Sequence, residues 1–69
     1  MSKLSDRLKE LRTSAGLSQK ELAKALNNQV SASSIGYWEQ EKRIPNIDAM
    51  LIIADYFDVS LDYLVGRED

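Results

Sequence analysis

The side chains that most often carry enzyme chemistry or bind metal ions are scarce in this sequence. It contains no His and no Cys among its 69 residues, which excludes a Cys–His nucleophile and a zinc site built from nitrogen and sulfur ligands. Its 11 carboxylates are scattered over predicted helix surfaces, and no Gly-rich phosphate loop is present. We therefore expect no enzyme activity, no metal site and no cofactor.

The charged side chains are distributed unevenly, although the net charge is only −2. Residues 1–45 contain eight cations and five anions, whereas residues 46–69 contain one cation and six anions. The basic first two-thirds could face phosphates while the acidic remainder points away. The alternative is that both parts are ordinary solvated surfaces.

Length and hydropathy limit the chain to a small folded unit. We expect residues 1–69 to form a single domain with a small core, unaided by disulfides. No apolar run approaches the ~18 residues of a membrane span, and residues 1–9 are too polar for a signal peptide. The expectation is a cytoplasmic protein with no membrane partner.

Capping residues and apolar spacing predict an all-α fold, a compact five-helix domain. Ser18 and Glu21 have the spacing of a capping box, which makes the second helix the clearest of the five. No segment alternates with the period of a strand. The predicted helices are 3–14, 19–26, 32–40, 47–57 and 61–65, with N-caps Ser2, Ser18, Ser31, Asn46 and Ser60.

Apolar spacing also predicts which helix faces are buried. Ile35 and Trp38 share a face of the third helix, so Trp38 is expected in the core rather than in contact with a base. On the fourth helix Ile52 falls outside the apolar face and should be exposed beside Tyr56. That predicted buried face consists of Ile47, Met50, Leu51, Ala54 and Phe57.

Four segments carry a family resemblance when they are taken together. They are residues 7–12 (RLKELR), 16–23 (GLSQKELA), 33–39 (SSIGYWE) and 45–64. In combination they resemble the Cro and phage-repressor-like, XRE-type helix-turn-helix family. The resemblance implies a lambda-repressor-like domain whose second and third helices form the helix-turn-helix. It further implies a transcriptional regulator, in particular a repressor, that reads the major groove of operator DNA with its third helix.

The resemblance also implies roles for several charged and polar residues. Arg12 and Glu39 match a paired arginine and glutamate that would fix the angle of the third helix. Gln19 matches a phosphate-binding position at the start of the second helix. The residues expected to contact the DNA backbone are Gln19, Ser34, Lys42 and Arg43.

Base readout is expected from the remaining face of the third helix and the turn before it. This face has no Arg, so the strong bidentate readers of guanine are missing. Gly36 has two interpretations that the sequence supports equally. It permits close approach to DNA, or it is simply a tolerated small residue. The predicted base-reading residues are Gln29, Ala32, Ser33, Gly36 and Tyr37.

Two positions depart from the family pattern. The turn between the second and third helices is two residues longer by comparison, because residues 27–29 (NNQ) replace a single glycine. Glu41 stands where the family usually has glycine, so a positive φ there would strain the backbone by about 1 kcal/mol.

The expected partners are an operator duplex and a second copy of the chain. A two-fold dimer would place two reading helices one DNA turn apart and multiply a weak discrimination. The alternative is an antitoxin or another protein-interaction module, which the acidic second part would suit. The candidate dimer residues are Ile52, Tyr56, Tyr63 and Val65.

Overall fold

A computed structural model describes residues 3–68, and the predicted cap Ser2 lies outside this part of the chain. The described residues form five helices and no strand, which confirms the predicted all-α fold. The first and fourth helices have the predicted bounds, and the other three end one residue earlier. The helices are α1 (Lys3–Ser14), α2 (Gln19–Ala25), α3 (Ala32–Glu39), α4 (Ile47–Phe57) and α5 (Leu61–Leu64).

Four helices begin at the predicted N-caps. Each capping side chain accepts a hydrogen bond from the backbone N–H three residues later, which satisfies one of the open donors of the first turn. At α2 the box is complete, because Ser18 N–H also donates to Glu21 Oε1 at 2.8 Å. The four caps are Ser18, Ser31, Asn46 and Ser60.

All five helices are terminated in the same way: a residue with positive φ follows the last helical residue by one or two positions. The next residue then donates its N–H to a carbonyl five residues back, as Asn28 does to Ala23 at 2.9 Å. This is the Schellman arrangement, which satisfies carbonyls at the end of a helix. The left-handed residues are Gly16, Asn27, Glu41, Asp58 and Gly66.

Each helix contributes one fully buried aliphatic side chain to a common core. Burial of each stabilises the fold by about 1.5–3 kcal/mol relative to exposure. Trp38 packs half-buried against this core, as predicted. The five side chains are Leu8, Leu22, Ile35, Ile53 and Leu64.

The predicted buried face of α4 is only partly right. Ile47 and Leu51 are 57% and 43% exposed, whereas Ile53 is fully buried. The other three residues of the predicted face are buried or pack against the core. Ile52, predicted to be exposed, is half-buried against the core. Nine of the eleven residues of α4 are apolar or aromatic. Its apolar spacing therefore fits more than one face, and packing against the other helices decides between them.

Arg7 joins α1 to the end of the chain. Its Nη1 donates to the backbone carbonyls of Tyr63 and Glu68, each at 2.6 Å. Its guanidinium also lies 4.0 Å from the centre of the Tyr63 ring. Cations are favourable near the carbonyls that end a helix, so these contacts hold α5 against α1.

Within residues 3–68, no helix is long and apolar enough to cross a membrane.

Candidate nucleic-acid interface

The connection between α2 and α3 contains two consecutive residues in the left-handed conformation. Asn27 and Asn28 both take positive φ, 57° and 58°. Asparagine tolerates this conformation better than most residues. Val30 is 95% buried and ties the turn to the core. As a result α3 begins at Ala32, as predicted, and α2 packs against it.

Arg12 and Glu39 form the predicted ion pair between α1 and the end of α3. Arg12 Nε lies 2.6 Å from Glu39 Oε2, and Nη2 lies 2.9 Å from Oε1, so the pair is bidentate. The two side chains are only 12% and 5% exposed. The hydrogen bonds to Glu39 raise the pKa of Arg12, which keeps the guanidinium charged. A third guanidinium nitrogen donates to the Leu17 carbonyl at 2.8 Å, which adds the α1–α2 loop to the same anchor.

Gln19 connects α2 to this pair. Its Nε2 donates to Glu39 Oε1 at 3.2 Å, which uses one of the two amide hydrogens. Its side chain also lies over Gly36, where a Cβ atom would come within 3.2 Å of Gln19 Oε1. Gly36 is buried, and the close approach of Gln19 gives this glycine a structural reason. Its predicted base readout stays a prediction.

The exposed face of α3, extended by the C-cap residue Gln40, presents three polar or aromatic residues at helical spacing. Ser33, Tyr37 and Gln40 lie at i, i+4 and i+7, and all three are exposed. Ser33 and Tyr37 were predicted as base readers, whereas Gln40 was missed because the predicted readout set stopped at Tyr37. The spacing from Ser33 would have found it. A Gln amide can pair with adenine, so Gln40 is a candidate base reader that the predicted face lacked.

The other residues predicted to contact DNA are partly engaged within the chain. Gln29 is exposed, but its Nε2 donates to the Leu26 carbonyl at 3.2 Å. Ala32 and Ser34 are half-buried, and Ser34 accepts a hydrogen bond from Ser31 Oγ at 3.0 Å. Gln29 lies in the turn before α3 and the other two lie in its first turn. Their contacts with DNA stay predictions.

The loop after α3 carries two exposed cations, Lys42 and Arg43. Glu41 has a φ of 62°, so the strain expected at this departure from the family pattern is present. Arg43 Cζ lies 5.2 Å from the centre of the Tyr37 ring. The structure thus brings a predicted base reader and a predicted phosphate ligand together.

The predicted dimer residues do not form one exposed patch. Tyr56 is 45% exposed, but Ile52, Tyr63 and Val65 are half-buried, and Tyr63 packs beneath Arg7. More exposed apolar side chains are Ile47 and Leu51, one turn apart on the other edge of α4, and Ile44 in the loop before it. We call these three residues the α4 stripe.

The family of the chain follows from its similarity to known proteins. Residues 8–64, most of the chain, match the family described as Helix-turn-helix. The chain belongs to the helix-turn-helix family. It is of the XRE type, and α2 and α3 are its helix-turn-helix.

Several curated helix-turn-helix proteins are similar to the chain. It is 38% identical to the HTH-type transcriptional regulator ImmR of Bacillus subtilis (strain 168), over 96% of this chain and 50% of ImmR. It is 36% identical to the HTH-type transcriptional activator BcrR of Enterococcus faecalis, over 93% of this chain and 30% of BcrR. The chain therefore spans half the length of these relatives or less.

Proposed function

We propose that this chain is a sequence-specific DNA-binding transcriptional regulator that inserts α3 into the major groove of its operator. A B-DNA major groove about 12 Å wide admits one helix. The proposal rests on the exposed row formed by Ser33, Tyr37 and Gln40. The largely buried Arg12–Glu39 pair fixes the C-terminal end of the same helix. A reading helix needs both a polar face and a fixed angle. The names of the similar proteins support the same function.

Contacts with DNA should fall into two classes. Lys42, Gln19 and Ser34 would bind phosphates, which adds affinity and carries no sequence information. Ser33, Tyr37 and Gln40 would read base edges, with help from Ala32 for a thymine methyl and from Gln29 in the turn. The net charge of −2 does not oppose this function, since the cations are concentrated in residues 1–45.

Binding-site selection from random duplexes tests the proposal. The wild-type chain should enrich one motif, and Ser33→Ala, Tyr37→Ala and Gln40→Ala should each change the motif. Lys42→Ala should weaken binding to all sequences equally and reduce the slope of log affinity against log salt by about 1. Lys42→Ala serves as the matched control, because Lys42 lies beside the same helix but is expected to contact phosphate rather than bases. An unchanged motif in a variant with all three exposed residues of α3 replaced would contradict the proposal.

We also propose that the chain binds a palindromic operator as a two-fold dimer. The candidate surfaces are the Tyr56 side of α4, next to Ile52, and the α4 stripe. Matched variants Tyr56→Ser and Leu51→Ser separate them, because each removes one exposed apolar side chain from a different edge of the same helix. Analytical ultracentrifugation on a full palindrome should show two chains per duplex for the wild type. Only the variant in the true interface should shift the complex toward one chain per duplex.

Repression is the form of regulation we propose, since occupation of an operator that overlaps a promoter requires no further contact. BcrR, however, is named an activator. A reporter gene placed behind the selected operator distinguishes the two, because a repressor lowers its expression and an activator raises it. A chain that binds no duplex in selection would instead favour the protein-interaction alternative, for which the α4 stripe is the exposed apolar surface.

A further inference from the structure

The side chain of Arg43 lies over a residue of the reading face. Its guanidinium carbon is 5.2 Å from the centre of the Tyr37 ring, within the range of a cation–π contact. Tyr37 is 40% exposed and lies between Ser33 and Gln40 on the outer face of α3. Although α3 contains no arginine of its own, one guanidinium therefore lies on its exposed face.

The backbone after α3 determines this position. Glu41 takes a positive φ of 62°, and Lys42 N–H donates to the Tyr37 carbonyl at 2.9 Å. These two features reverse the direction of the chain, so that Arg43 lies alongside the last turn of α3. Pro45 is buried and fixes the loop on its other side. Arg43 thus lies on a short segment that is tied down at both ends.

A guanidinium on an aromatic face is well placed for base recognition. A contact with the ring restricts the motion of the guanidinium, so less conformational entropy is lost when it binds. The N–H groups of a guanidinium lie in its plane, so a contact through the face of the group leaves them able to bind a base. Two parallel N–H donors match O6 and N7 of guanine in the major groove.

We propose that Arg43, held on the Tyr37 ring, reads a guanine at the operator position that faces the end of α3. Arg43 is then a specificity-determining residue rather than a backbone contact, and Tyr37 is the residue that positions it. This inference rests on the proposed function, because it names part of the operator sequence. Lys42 differs from Arg43, since an ammonium is a point charge without a planar fork.

Binding-site selection with four variants tests this assignment. Wild-type protein should enrich a guanine at one position of each half-site. Arg43→Lys keeps the charge but should lose that guanine, with other positions unchanged, and affinity for the wild-type motif should fall about 5- to 150-fold. Tyr37→Phe keeps the ring and should keep the guanine, whereas Tyr37→Leu should lose it. Lys42→Ala is the control and should retain the full motif.

The outcomes separate this inference from the proposed function. A wild-type chain that enriches no motif contradicts the proposed function itself. A wild-type motif that persists in Arg43→Lys, guanine included, overturns the role of Arg43 alone. Loss of the guanine in Arg43→Lys but not in Tyr37→Leu overturns the positioning role of Tyr37. Because Lys42, Arg43 and Tyr37 are all exposed, the variants should remain folded, which circular dichroism checks.

Discussion

Arg12 and Glu39 form a largely buried, bidentate ion pair. Replacement of Glu39 by Ala leaves a guanidinium that is 12% exposed without its carboxylate. Removal of one partner of such a pair costs about 3 kcal/mol. We therefore expect Glu39→Ala to lower the free energy of unfolding by about this amount in urea denaturation.

Glu10→Ala is the matched control for the ion pair, because Glu10 is an exposed carboxylate on α1. It should change the stability by less than about 0.5 kcal/mol, as most surface substitutions do. If Glu39→Ala costs no more than Glu10→Ala, the pair does not stabilise the fold and cannot be what fixes the angle of α3.

Glu21 should make the stability depend on pH in the acid range. Hydrogen bonds from the Ser18 backbone and side chain lower the pKa of Glu21 below its usual range. A carboxyl whose pKa is lower in the folded chain stabilises the fold above its unfolded pKa, and this contribution is lost as the pH falls through the folded pKa. Glu21→Gln removes the titration. The stability difference between wild type and Glu21→Gln should therefore be larger at neutral pH than at about pH 2; a difference independent of pH would contradict the shift.

At the scale of the helices, the left-handed ends give the clearest prediction. Asp58 has a φ of 55° at the end of α4, where a negative charge also opposes the helix dipole. Glycine removes both costs but loses more backbone entropy on folding. The net effect of Asp58→Gly should be a gain of about 1 kcal/mol, which raises Tm by about 4–8 °C for a domain of this size.

Asp58→Ala separates the two contributions in the same thermal unfolding experiment. Alanine removes the charge but keeps a side chain in the left-handed region, which costs roughly 1–2 kcal/mol. It should therefore give no gain in Tm. An equal gain from Ala and Gly would show that charge, rather than backbone conformation, limits stability at this helix end.

The starts of the helices could be predicted from the sequence, and their ends only in part. An N-cap is a local signal, because Ser or Asn bonds to a backbone N–H three residues away. Gly16 and Gly66 mark left-handed ends in the same local way. Glu41 and Asp58 do not mark their helix ends in this way, since neither residue type prefers positive φ strongly. Glu41 was flagged only through the family resemblance.

Features that depend on packing between helices could not be read from the sequence. The orientation of α4 is one, because several of its faces are apolar and only contact with the core selects Ile53 over Leu51. The burial of Gly36 under Gln19 is another, since it depends on how α2 crosses α3. The contact of Arg43 with Tyr37 requires a chain reversal at Glu41, a position that only the family resemblance had flagged.

At the scale of the whole molecule, the uneven charge should make salt act in opposite directions on the two proposed associations. Residues 46–69 carry six anions and one cation, so like charges oppose a dimer formed through α4 and α5. Higher salt screens this repulsion and should strengthen self-association in sedimentation experiments. Binding to DNA should weaken over the same range, because counterions released from phosphates favour it at low salt. Dimerisation that weakens with salt would indicate an interface held by opposite charges instead.

Whether α3 reads DNA sequence is tested by comparing two affinities of the wild-type chain. One is for its selected duplex and the other is for a scrambled duplex of equal length, both at about 150 mM salt. We expect a ratio of at least about 10³, the lower end for specific DNA-binding proteins. A ratio near one would contradict it, because a helix that only neutralises phosphates cannot distinguish the two duplexes.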